Sequence, residues 1–231
     1  MEPGAGRIDV AGELTRIEEA LARGQTDLGP LGFWRVVALV KRDPALIEAH
    51  AEQIGRIDTA AFEARVRSLF PVWVGLLTQA AVIVGGCAAL AVASAARGPL
   101  SGLALLAAAL AWSVGVHLPA HWLVGHAVGI GFTHSFLGGP PPARPGLKTD
   151  YDSYLRVPAR SRAWFHASGA LATKAAPFLV AAFAPLTNAP AWALGAVLVL
   201  GLIQILTDIL FSVKTSDWKK FRREMAIARR S

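Results

Sequence analysis

A single cysteine, Cys87, stands among 231 residues, which excludes an intrachain disulfide. Charge is scarce too, because Asp, Glu, Lys and Arg make up 17% of the chain against 54% hydrophobic residues. The net charge of +7 comes with no nucleic-acid recognition motif, so no nucleic-acid partner is expected. No repeat recurs at a fixed period. The N-terminal segment has no apolar core after its first charges and reads GELTRIEEALARG, so no signal peptide is expected.

What the chain has instead is long apolar runs, and its mean hydropathy is +0.44. About 20 apolar residues cross the roughly 30 Å of hydrocarbon in a bilayer. Val72–Ala95, Leu100–Val116 with its apolar continuation, and Ala191–Val213 meet that length, while Ala170–Ala184 is shorter and carries Lys174 and Pro177. The expected fold class is all-α, a polytopic membrane protein with about four transmembrane helices.

Basic residues concentrate on the cytoplasmic side of membrane proteins. Nine of the 23 lie before Phe70, one (Arg97) between the first two spans, five between Gly138 and His166, and seven after Val213. This alternation fits four spans with both termini cytoplasmic, in an inner cell membrane, with the positive excess facing anionic lipid. The expected organisation is a cytoplasmic helical segment at 1–69, a transmembrane domain at 70–214 with a cytoplasmic loop at 137–166, and a basic cytoplasmic tail at 215–231. Within the first segment, Asp43-Pro44 opens a helix to about Ile54, and Asp58 caps a second one carrying Phe62, Val66 and Phe70 toward the membrane. GGPPPARPG at 138–146 reads as a stiff turn.

Four histidines crowd the run VHLPAHWLVGHAVGIGFTHSF, namely His117, His121, His126 and His134. Ionisable or metal-binding side chains at membrane depth usually mark function. The helical rise puts His117 about 27 Å from the outer end of its span and Asp208 about 25 Å along its own, at similar depth. His117 and His121 are four apart and share a helix face, which is a chelating geometry. Two imidazoles and a carboxylate suit catalytic Zn²⁺ and also non-haem iron. His126 lies opposite His117 on a straight helix and joins only as an auxiliary ligand after a bend. Pro119, Gly125, Gly129 and Gly131 supply reasons for a kink or re-entrant turn between 117 and 136. Lys174 and Gln204 are further polar groups inside the spans, and Asp208 and each other are their expected partners. The cytoplasmic loop supplies Asp150 and Asp152 as candidate bases, with Tyr151, Tyr154, Arg156, Arg160, Arg162 and His166 as lid or lipid-headgroup contacts.

The order of these motifs resembles site-2 protease-type membrane metallopeptidases. His117-Leu-Pro-Ala-His121 has that family's histidine spacing, HASGALATKAAPF at 166–178 is similar to its small-residue helix, and Asp208 in QILTDIL stands where a third ligand would. The resemblance implies a zinc hydrolase acting on a membrane-embedded peptide. Leu118 occupies the place of the family's general-base glutamate, and no P-x-L-D-G surrounds Asp208, so a divergent enzyme and an inactive relative both stay open. Two other readings use the same residues. One is an iron or haem oxidoreductase acting on lipid, with His166 opposing a histidine of the second span. The other is a membrane scaffold or transporter subunit without catalysis.

Overall fold

A computed structural model describes residues 9–138, 144–210 and 216–230. Residues 139–143 of the Pro-rich turn and the expected last turn of the fourth span, 211–213, lie outside the described residues.

Three helices precede the membrane region: α1 (Val10–Ala22), α2 (Phe33–Val40) and α3 (Pro44–Arg65). Asp9 caps α1 by accepting from the Gly12 amide, and Asp43 caps α3 by accepting from the Ala45 amide, with Pro44 in the first turn. The two helices expected across 44–70 are one. No proline interrupts them, and Gly55 is kept for packing: a Cβ there would stand 3.0 Å from the Asp152 amide nitrogen. Asp58 is therefore no cap. It is buried mid-helix and paired with Lys148.

Among the described residues four helices are long and apolar enough to cross a membrane, so the chain is an all-α, multi-pass membrane protein. The spans are α4 (Val72–Ala95), α5 with α6 (Gly98–Gly115 and His117–Ala127), α8 (Ala159–Phe183, extended by a 3₁₀ turn to Leu186) and α9 (Ala191–Leu210). Large apolar side chains such as Val84, Leu103, Leu202 and Ile209 stay exposed on their outer faces, as lipid-facing helices require. Between α5, α8 and α9 the contacts are small, with Ala104, Ala108, Ala109 and Ala193 buried beside Leu105, Val180 and Val197. Backbones approach closely there because lipid offers no hydrophobic drive and packing must supply the association.

The second span is interrupted at Val116, which ends α5 and begins α6. Pro119 accounts for the break as expected, because the N–H it lacks would have bonded the Gly115 carbonyl four residues back. α6 stops before Gly129, whose φ of 93° is a left-handed conformation that glycine tolerates. The chain then enters a sheet absent from the sequence expectation. Its strands β1 (Leu69–Phe70), β2 (Phe132–Gly138) and β3 (Arg144–Thr149) are antiparallel, with Phe70 opposite Ser135 and Ser135 opposite Leu147. Helix α7 (Tyr151–Arg156) follows, and α10 (Asp217–Ala228) comes after the last span.

The helices α1 to α3 share one hydrophobic core with Ile130, Tyr154, Leu155 and Phe165. Lys41 of α2 lies 2.7 Å from Glu224 of α10, which places the N-terminal helices and the C-terminal helix at the same end of the bundle. The sheet, α7 and the first turns of α8 gather at that end as well.

Candidate metal centre

Helix α6 presents His117 and His121 one turn apart, with ring centroids 4.8 Å apart and planes at 82°. Both rings point Nε2 at the same carboxylate oxygen, Asp217 Oδ2, at 3.5 and 3.2 Å. The three candidate ligand atoms lie within 4.8 Å of one another. Bonds of about 2.0–2.1 Å at tetrahedral angles hold ligand atoms about 3.3 Å apart, so the two N···O separations are those of ligands sharing a zinc-sized ion.

The opposite ring nitrogens are engaged by α8. His121 Nδ1 is 2.8 Å from the Phe165 carbonyl oxygen, and His117 Nδ1 is 3.0 Å from Thr173 Oγ1. A carbonyl only accepts, so His121 Nδ1 carries the proton and Nε2 of the neutral ring is a bare lone pair. A bare lone pair and a carboxylate at 3.2 Å repel unless a proton or a cation sits between them. Holding Nδ1 in this way is how proteins orient metal-binding histidines.

Position Gly169 explains how the rings fit. It sits on α8 between Phe165 and Thr173, and a Cβ there would meet both imidazoles, at 2.5 Å from His121 Cδ2 and 2.9 Å from His117 Cε1. The small-residue character of HASGALATK thus serves the histidines directly.

Asp217 begins α10 behind Ser216, which caps the helix by accepting from the Lys219 amide. Burial pushes its carboxyl up, but with the rings protonated the hydrogen bond and charge of His121, then Lys220 and His117, hold it well below the usual carboxylate range. Seven residues on, the same face of α10 carries Glu224, which is buried. It accepts from Arg162 Nε at 2.7 Å, Lys41 Nζ at 2.7 Å and the Tyr154 hydroxyl at 2.9 Å. Burial raises the Glu224 carboxyl, and Lys41 and Arg162 outweigh it, bringing it down to about 2. Arg162 also donates to the carbonyls of Leu155 and Val157. These contacts pin α10, and hence Asp217, over the histidines.

A cavity of about 210 Å³ opens beside the three groups, lined among others by His166, Lys220, Leu118, Phe132 and Leu147. Leu118, in place of a glutamate, gives this wall no base.

Asp217, not Asp208, is the carboxylate at the histidines. Asp208 pairs with Lys174 at 2.8 Å, two polar groups neutralising each other within the membrane region. Gln204 reaches neither of them and donates to Ser113 Oγ at 3.3 Å. His126 is exposed and stacked on Trp122 at 5.5 Å, on the far side of α6 from His117, so no bend brings it in. His134 lies on β2 beside Glu63. The two candidate bases are also elsewhere. Asp150 caps α7 through the Asp152 and Ser153 amides, and Asp152 pairs with Arg156, which reaches Glu48 as well. Tyr151 and Tyr154 pack against each other and under Lys41, Arg162 is buried on Glu224, and of the expected headgroup contacts only Arg160 is exposed without an ion pair among the described residues. His166 Nε2 lies 2.8 Å from the Tyr154 hydroxyl, which occupies the nitrogen a haem would need at that edge of the ring.

Sequence reasoning missed Asp217, Lys220 and Glu224 because 215–231 reads as a basic tail, and Lys41 because its partner Glu224 lies 183 residues away. The available signal was two acidic residues seven apart on one face of a helix opened by Ser216-Asp217. No protein-family model, curated protein or solved structure matches this chain.

Proposed function

We propose that this protein is a metal-dependent membrane hydrolase whose ion is held by His117, His121 and Asp217. The convergence of two Nε2 atoms and one carboxylate oxygen, with the His121 Nδ1 proton already committed to a carbonyl, carries the reading. Zinc is the proposed ion, since two imidazoles and a carboxylate leave a coordination position open in catalytic zinc sites. Such an ion supplies Lewis acidity and lowers the pKa of a bound water.

The site lies near the hydrocarbon boundary. His117 is about 28 Å along the helical rise from Gly98, close to the roughly 30 Å thickness of the apolar layer. The N-terminal helices, with nine of the 23 basic residues before Phe70, and α10 gather at that end, and the distribution of Lys and Arg supports the cytoplasmic side of an inner membrane for it. A carbonyl substrate reaching the cavity from lipid, a membrane-embedded peptide or a lipid ester, suits this depth. The histidine spacing and small-residue helix that resemble site-2 protease-type enzymes support the peptide, though Asp208 is not the third group.

Elemental analysis of detergent-purified protein tests the proposal. Near-stoichiometric zinc in wild type and in Asp208→Asn, lost in His121→Ala and Asp217→Ala, is expected. No zinc or iron after reconstitution with either would overturn it and leave the cluster as a His–Asp ion pair. Iron in place of zinc would favour a lipid oxidoreductase, because two histidines and one carboxylate are also the ligand set of non-haem iron.

A further inference from the structure

Leu118 leaves the site without the base that a glutamate would provide, and Asp150 and Asp152 are spent on a cap and an ion pair. One wall of the same cavity nevertheless holds a titratable side chain, His166. It belongs to the face of α8 that also carries Arg162, Gly169 and Thr173, at helical spacing, from which Arg162 reaches Glu224 and Thr173 reaches His117.

The hydrogen bonds around His166 fix its tautomer. Both carboxylate oxygens of Glu224 are acceptors, one for Arg162 and the other for Lys41 and Tyr154. An ionised carboxylate cannot donate, so the Tyr154 hydroxyl spends its single proton on Glu224. The Tyr154 oxygen can then only accept from His166, whose Nε2 at 2.8 Å must carry a proton. The Nδ1 of neutral His166 is consequently a bare acceptor, and among the described residues no hydrogen-bond partner is recorded for it.

We propose that His166 is the proton acceptor of this hydrolase, oriented through the relay Glu224–Tyr154–His166. The assignment rests on the metal-hydrolase reading. As a water oxygen bonds to the carbonyl carbon of an amide or ester, one water proton passes to His166 Nδ1. When the C–N or C–O bond breaks, the imidazolium returns that proton to the departing nitrogen or oxygen. No external oxidant or co-reactant is consumed. Tyr154 and Glu224 touch neither water nor substrate and act as positioning residues.

The test uses full-length protein in detergent, reconstituted with zinc, as wild type, His166→Gln and Tyr154→Phe. Zinc content, ¹⁵N NMR of the histidine rings and hydrolysis of p-nitrophenyl acetate are read on each. The expected result is an Nε2–H tautomer for His166 in wild type, identified by its loss in His166→Gln. His166→Gln should keep its zinc and lose at least about 100-fold in kcat with KM little changed, the size of a general-base contribution. Tyr154→Phe should keep zinc, relax the tautomer preference and lose less rate. Protonated Nδ1 in wild type, or equal nonzero ester rates in zinc-loaded wild type and His166→Gln, overturns the assignment of His166 alone. Zinc-free wild type, or zinc-loaded wild type with no ester hydrolysis, instead overturns the hydrolase reading, so the two failures are distinguishable.

Discussion

Replacing Gly169 by alanine separates the metal site from the fold. The added methyl would stand 2.5 Å from His121 Cδ2 and 2.9 Å from His117 Cε1, whereas carbon atoms rest about 3.5–4.0 Å apart. The rings must therefore swing by about 1 Å. They are side chains and can do so, but swinging breaks the 2.8 Å bond to the Phe165 carbonyl and the 3.0 Å bond to Thr173, and turns both Nε2 atoms off Asp217. Losing such orienting partners costs about 10–100-fold in metal affinity. That is about 1.4–2.8 kcal/mol of binding. The helix itself gains, since alanine exceeds glycine by about 1 kcal/mol in a helix interior. Gly169→Ala should therefore melt within a few degrees of the wild-type Tm while binding zinc 10–100-fold more weakly in a competitive chelator titration. Gly195→Ala on α9, where an added Cβ meets nothing within 4 Å, is the control and should change neither. Unaltered zinc affinity in Gly169→Ala would refute the claim that α8 sets the aim of these rings.

Glu224→Gln leaves Arg162 and Lys41 buried with weaker partners, and a loss of about 3–5 kcal/mol is expected in detergent unfolding. The same carboxyl predicts a pH effect. Its native value of about 2 lies below the ordinary 4.5, so its stabilisation is complete above pH 4.5 and fades as pH falls toward 2. The stability gap between wild type and Glu224→Gln should close over that window, and a constant gap would contradict the assignment. Pro119→Ala restores the N–H missing opposite the Gly115 carbonyl, so Tm should rise by a few degrees. An unchanged Tm would show that the break at Val116 does not depend on the proline. Lys174→Met should lower stability without releasing metal, since Lys174 answers Asp208 and not the site. Zinc loss in that variant would reconnect Asp208 to the histidines.

The membrane class was legible because composition and helix length are properties of the chain alone. The shared face of His117 and His121 was legible too, since four residues make a turn whatever surrounds them. The carboxylate was not. Asp208 and Asp217 lie nine residues apart, and depth arithmetic takes the carboxylate inside the span, whereas the one at the histidines opens α10, which runs on antiparallel to α8 with Phe221 at Trp164 and Glu224 at Arg162. Hairpin β2–β3 escaped notice because strand signals in FTHSFLGG are short beside the apolar runs around them. The buried Glu224 escaped because a charge answered by three distant donors, on α2, α7 and α8, has no local signature.

The third candidate ligand stands 96 residues after His121, on a helix made once all four spans have been translated. A growing chain thus inserts its histidines into the membrane long before Asp217 exists to meet them. Until then the two Nε2 atoms have no third group facing them, and the cluster is complete only with α10 held by Arg162, Lys41 and Tyr154 at Glu224. The finished cluster thus draws on residues from the end of α2 and from α6, α7, α8 and α10 at once.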